Sequence, residues 1–159
     1  MSEFGGRTLI LALGNSLCGD DGVGMAVVQA LSRQTTLPPN VTLSPQGVNG
    51  LLHALLGHRY RRIIIVDSAY MGCNPGEWIR FTPDDASINS AHPGGGWHGV
   101  SLGEILALAN TLKVTLPELV IYGVQPLAIP RHPGLSDMVQ KAVPDICAAI
   151  LTEVEEQSS

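Results

Sequence analysis

Charge is scarce in this chain. Only 14% of its 159 residues are Asp, Glu, Lys or Arg, and the formal net charge is −5. The nine basic residues form no long run and aromatic residues amount to 4%. No cationic stripe interleaved with stacking rings is therefore available for a phosphate backbone, and a nucleic-acid partner is not expected. No apolar stretch approaches the roughly 20 residues that cross a bilayer. The N-terminus, Met1-Ser2-Glu3-Phe4-Gly5-Gly6-Arg7, carries an acid ahead of a run too short for the apolar segment of a signal peptide. A cytoplasmic protein with no membrane partner is expected. Cysteine is nearly absent, with Cys18, Cys73 and Cys147 odd in number and without CxxC spacing. That usage fits reduced thiols rather than a disulfide framework or a thiolate zinc site.

What the chain does have is apolar content, 45% of its residues. At this length that supports one compact domain over 1–159, with ends at 1–7 and 157–159 expected to be flexible. Strand and helix patterns alternate. A continuous apolar run near 8–13 reads as a strand covered on both faces, followed by an amphipathic helix near 22–34, apolar at Val23, Val27, Val28 and Leu31. A short strand is expected at 41–44, a helix marked by Leu51, Leu52, Leu55 and Leu56, and a second buried strand at 61–67. A more exposed strand spans 77–82, and the Pro-, Gly-, Asn- and Ser-rich stretch 83–96 reads as a long loop. Ser101 and Glu104 have capping-box spacing for a helix over 101–112. The last strand falls at 119–123 and the last helix at 136–155, kinked at Pro144. About five strands and four helices in this order predict an α/β fold, a three-layer α/β/α sandwich around a mainly parallel sheet.

Chemistry concentrates where strands finish. Asp20 and Asp21 follow the first strand, Asp67 ends the third, and His98 precedes a capped helix. In open α/β sheets ligands bind at that end of the strands. Two carboxylates and one imidazole, Asp21, Asp67 and His98, form an oxygen and nitrogen set suited to a divalent ion such as zinc or nickel. Each residue also has a plain reading. Asp20 or Asp21 could cap the following helix and complement its dipole, Asp67 could fix its loop, and His98 could be a solvated loop histidine. His92 is a rival ligand in the long loop, His132 could approach from the last loop, and His53 and His58 read as surface groups. Cys18 with a histidine would make a nucleophilic pair. The run Gly14 to Gly24 is not a phosphate loop, since it lacks GxGxxG order and a Walker lysine and carries two acids where phosphate would sit.

Taken together, Gly14-Asn15-x-x-x-Gly19-Asp20-Asp21-Gly22-x-Gly24, Ile64-Ile65-Val66-Asp67-Ser68-Ala69, Asn74-Pro75-Gly76-Glu77, His98-x-x-x-Leu102, Gly123-Val124-Gln125-Pro126 and Gly134-Leu135-Ser136 resemble the hydrogenase maturation endopeptidases. The resemblance spans about residues 8–151. It implies an α/β/α fold with a twisted, mainly parallel five-stranded sheet. It also implies an endopeptidase that removes the C-terminal extension of a [NiFe] hydrogenase large-subunit precursor after nickel insertion, acting as a monomer. Asp21, Asp67 and His98 match the three metal-contacting positions, with nickel supplied by the substrate and zinc or cadmium able to substitute. Asp20 or a ligating carboxylate would accept a proton from the attacking water. A non-cleaving nickel sensor or chaperone for the large subunit is the alternative. The pattern departs at Ser44-Pro45-Gln46-Gly47-Val48-Asn49-Gly50, where many members carry an Asp-Gly-Gly-Thr-like loop. That departure points to a subgroup with a different large-subunit partner, with Gln46 and Asn49 offering polar contacts.

Overall fold

The chain is described from a computed structural model covering residues 6–34, 37–83 and 100–158. Strand β1 (Arg7–Ala12) leads through a 3-10 turn (Gly19–Gly22) into α1 (Val23–Ser32). Strand β2 (Val41–Ser44), α2 (Gly47–Gly57), β3 (Tyr60–Ser68), β4 (Trp78–Phe81), α3 (Val100–Thr111), β5 (Glu118–Val124) and α4 (Asp137–Ser158) follow. The sheet order is β2-β1-β3-β5-β4. Four strands are parallel and β4 lies antiparallel against β5 at the edge.

Alternation of side chains across the central strands explains why their sequences are apolar throughout. Ile10, Ala12, Ile64, Val66, Val120 and Val124 pack on one side with Val23, Val27 and Leu31 of α1 and Val139, Ile146 and Ile150 of α4. Leu9, Leu11, Ile63, Ile65 and Ile121 pack on the other with Leu51 and Leu55 of α2 and Leu106 of α3. The three-layer α/β/α sandwich expected from the sequence is the observed fold.

The largest boundary differences are three. Helix α2 starts at Gly47 rather than near Leu51, and the little intrinsic helix preference of Gly47-Val48-Asn49-Gly50 hides that first turn in the sequence. The helix expected from residue 22 opens instead with a 3-10 turn at Gly19. Pro144 lies inside a 22-residue helical span that continues to Ser158, beyond the expected end at 155. Most of the long 83–96 loop lies outside the described residues.

Connectivity places the functional end. From β1 the chain crosses to β2 on one side, and from β3 it proceeds toward β5 and β4 on the other. The loops leaving the carboxyl ends of β1 and β3 therefore diverge and leave a crevice between them.

Helix α4 is fastened to the sheet by a charged cluster. Glu153 accepts from Arg62 Nη1 at 3.3 Å and from Arg80 Nε at 2.8 Å, and the Tyr122 hydroxyl donates to it. Arg62 is 2% exposed and also pairs with the half-exposed Glu118. Removing one member of a buried pair strands the other's charge at roughly 3–5 kcal/mol. Glu153→Ala is expected to lower Tm by about 6–12 °C, whereas Arg80→Ala, at a site 43% exposed, should cost only a few degrees. Thermal melts followed by circular dichroism check both.

Candidate functional site

The loop after β1 is shaped around Asp21. Gly14 has φ +99°, and a Cβ there would lie 2.3 Å from the Asp21 carbonyl oxygen, so no other residue fits. The Asn15 side chain accepts the Leu17 N–H at 2.9 Å and closes the turn. Asp21 Oδ2 accepts the Asn15 N–H at 2.7 Å and Oδ1 accepts the Ser68 hydroxyl at 2.7 Å. Asp21 is thus stitched to its own loop and to the end of β3, next to Asp67. Neither acid caps the helix, since α1 has Gly22 at its N-cap with no side-chain bond.

Asp67 is the unusual group. It is 1% exposed, and among the described residues neither carboxyl oxygen has a hydrogen-bond partner. Burial, then the neighbouring Asp21 charge, push its pKa up to about 8. The Ser68 amide opposes this weakly, from a position that does not make a full hydrogen bond. Buried polar atoms are nearly always satisfied, so two oxygens unpaired among the described residues on one carboxyl mark a candidate binding position. Two neighbouring carboxylates beyond the ends of β1 and β3, one already held in place and the other without a partner among the described residues, fit the oxygen donors a divalent cation takes.

Asp20 behaves differently from its neighbour. Its Oδ1 accepts the Ser136 N–H at 2.7 Å, and its Oδ2 accepts the Leu127 N–H at 2.8 Å, the Ala128 N–H at 3.2 Å and the Ser136 hydroxyl at 2.8 Å. Its carboxylate therefore belongs to the loop after β5.

Of the expected site residues, the structure brings Asp21 and Asp67 together and turns Asp20 away from them. His98 and its rival His92 lie outside the described residues. Among the described residues no group of three His, Cys, Asp or Glu side chains is gathered to hold a metal. His132 is exposed, with Nδ1 3.4 Å from the Pro133 carbonyl. His53 is exposed, and His58 ends α2 with left-handed backbone (φ 52°). The three cysteines are free, and Cys18 is partly exposed. Gln46 and Asn49 are exposed at the start of α2.

Two participants lie within the quoted motifs without having been assigned a role. Ser68 fixes Asp21 across 47 residues of sequence. Gln125 is 8% exposed, and its Oε1 accepts the Met71 N–H at 2.7 Å and the Cys73 N–H at 3.3 Å. It ties the turn after β3 to the end of β5.

Residues 25–153 match the family model for hydrogenase maturation protease. The chain belongs to the hydrogenase maturation protease family. It is 32% identical over 152 residues to a putative hydrogenase maturation protease of Methanocaldococcus jannaschii, covering 92% of this chain and 96% of that one. It is 26% identical to the hydrogenase 2 maturation protease of Escherichia coli, covering 94% and 92%. The fold superposes on the solved structure of the E. coli hydrogenase maturating endopeptidase HybD with a TM-score of 0.76, at 23% identity and 94% and 93% coverage. The match to the family model includes Asp67 and His98 and begins four residues after Asp21.

The unpartnered carboxyl gives a pH signature. Unfolded, Asp67 ionises near 3.8; folded, near 8. Between those values the folded chain holds a proton that the unfolded chain has lost, so this group's contribution to stability falls as pH rises from about 4 to about 8. Asp67→Asn removes the charge. The variant is expected to gain on the parent chain across that window by a few kcal/mol, roughly 5–10 °C in Tm, with the two chains converging near pH 4. Paired melts at pH 4, 6 and 8 measure it, and a constant difference would contradict the assignment.

Proposed function

We propose that this chain is an endopeptidase that removes the C-terminal extension of a [NiFe] hydrogenase large-subunit precursor once nickel is in place. The observation that carries this reading is the pair of Asp67 oxygens left unpaired among the described residues, buried beside Asp21 at the carboxyl ends of β1 and β3. Family membership supplies the hydrolytic class. The carboxyl pair supplies a reason for the precursor's metal to matter.

In this reading the nickel is part of the substrate rather than a resident cofactor, and zinc or cadmium in the same place would be recognised in its stead. Asp21, Asp67 and His98 contact the ion and so identify a loaded precursor. Asp21 is held rigid by Asn15 and Ser68, so it meets the ion without reordering. Asp67 gives up the proton that burial favours when the cation arrives. Seating the ion brings the extension's scissile peptide into the crevice. Water adds to its carbonyl carbon and passes a proton by way of a ligating carboxylate to the departing amine. The protease acts on the precursor as a monomer in the cytoplasm. Among the described residues no helix is long and apolar enough to cross a membrane.

Each [NiFe] hydrogenase large-subunit precursor of the source organism, nickel-loaded and nickel-free, is to be incubated with the protein and weighed by mass spectrometry. A shortened C-terminus on the loaded form alone is expected. Asp21→Asn, Asp67→Asn and His98→Ala should each slow that cleavage by more than about 100-fold while far-UV circular dichroism stays unchanged. Stable co-elution with an intact tail would instead identify a non-cleaving nickel sensor or chaperone. Near-normal cleavage by all three variants would refute the site.

A further inference from the structure

Asp20 and Asp21 are adjacent in the chain but serve different neighbours. Asp20 is 1% exposed and accepts four bonds, three on Oδ2 and one on Oδ1. All four donors come from the loop that follows β5, between Leu127 and Ser136. The contact is reciprocal. The Gly19 N–H donates to the His132 carbonyl at 2.8 Å and the Asp20 N–H to the Ala128 carbonyl at 3.3 Å. The loops also approach closely enough that a Cβ on Gly19 would lie 2.4 Å from Pro130 Cδ.

This junction lies at the catalytic end of the sheet. Asp67 is in register with Gly123 of β5, so the loop leaving β5 starts just beyond the carboxyl pair. At the other side of the junction Asp21 is the next residue after Asp20. Leu127, whose N–H is bonded to Asp20, is 60% exposed, and Leu17 of the first loop is 65% exposed. Large apolar side chains left in water on two loops locked together make a wall suited to an extended polypeptide.

We propose that Asp20 is a positioning residue of this protease. Its carboxylate seats the loop after β5 as one wall of the crevice, and that wall aligns the precursor's chain for cutting at Asp21 and Asp67. The inference rests on the protease reading above. It speaks against Asp20 as the proton acceptor, because the carboxylate is 1% exposed and already committed to the loop it holds. A wall that aligns substrate acts through binding, so its loss raises KM and leaves the chemical step nearly intact.

Asp20→Asn turns an acceptor oxygen into a donor that faces N–H groups, and Ser136→Ala deletes only one hydroxyl from the same junction. Steady-state cleavage of the nickel-loaded precursor is to be measured for both, together with amide hydrogen exchange. For Asp20→Asn the expected result is a KM higher by about tenfold or more with kcat within about threefold. Amides of Leu127, Ala128 and Ser136 should exchange faster while those of β1 and β3 do not. Ser136→Ala should raise KM by roughly two- to fivefold at unchanged kcat. A large fall in kcat at unchanged KM, with the acidic limb of the pH–rate profile altered, would make Asp20 the proton acceptor and overturn the proposal. Parent-like kinetics in Ser136→Ala would overturn it too, and that variant decides the matter if Asp20→Asn does not fold. Failure of the parent chain to cut any precursor sinks the protease reading itself and this inference with it.

Discussion

A carboxyl group with no hydrogen-bond partner among the described residues, shut away from water beside a second carboxylate, is the constraint around which this structure is arranged. Desolvation alone makes an ionised Asp67 costly, and Asp21 adds repulsion. An ordinary structural acid would relax toward solvent or find a donor. Asp67 does neither because it sits next to the end of a deeply buried central strand, with Ile63, Ile64, Ile65 and Val66 all at 0% exposure before it. The apolar core on both faces holds the backbone in place and supplies the free energy that offsets the strain of this one side chain. In the proposed function the same cost becomes selectivity, since a divalent cation relieves both burial and repulsion at once.

The two neighbouring aspartates show how far adjacent residues can diverge. The 3-10 turn at Gly19–Gly22 sends one carboxylate toward β3 and the other toward the loop after β5. Each then acquires partners more than 40 residues away in sequence. Asp21 gains its neighbour through Ser68, and Asp20 gains four through Leu127, Ala128 and Ser136. The crevice is therefore assembled from three strand ends, β1, β3 and β5, with Gln125 tying the turn after β3 to the end of β5.

Relatives at about a quarter to a third identity match nearly the full chain, and a solved structure at 23% identity shares its fold. Such divergence is tolerated because the core asks only for apolar side chains of suitable volume at alternating positions. The short glycine- and aspartate-bearing loops are less forgiving. Gly14 leaves no room for a side chain against the Asp21 carbonyl, and Gly19 leaves none against Pro130.

By itself the sequence determined the layered α/β/α fold, the parallel central strands and the carboxyl-end placement of Asp20, Asp21 and Asp67. Those features follow from local pattern: unbroken apolar runs, glycine turns and acids that end strands. Only the tertiary structure decided that Asp21 faces Asp67 while Asp20 braces another loop, that Ser68 and Gln125 take part, and that α2 extends back to Gly47. Hydrogen-bond partners drawn from distant loops leave no periodic trace in the chain, and a carboxylate's role is set by which donors surround it after folding.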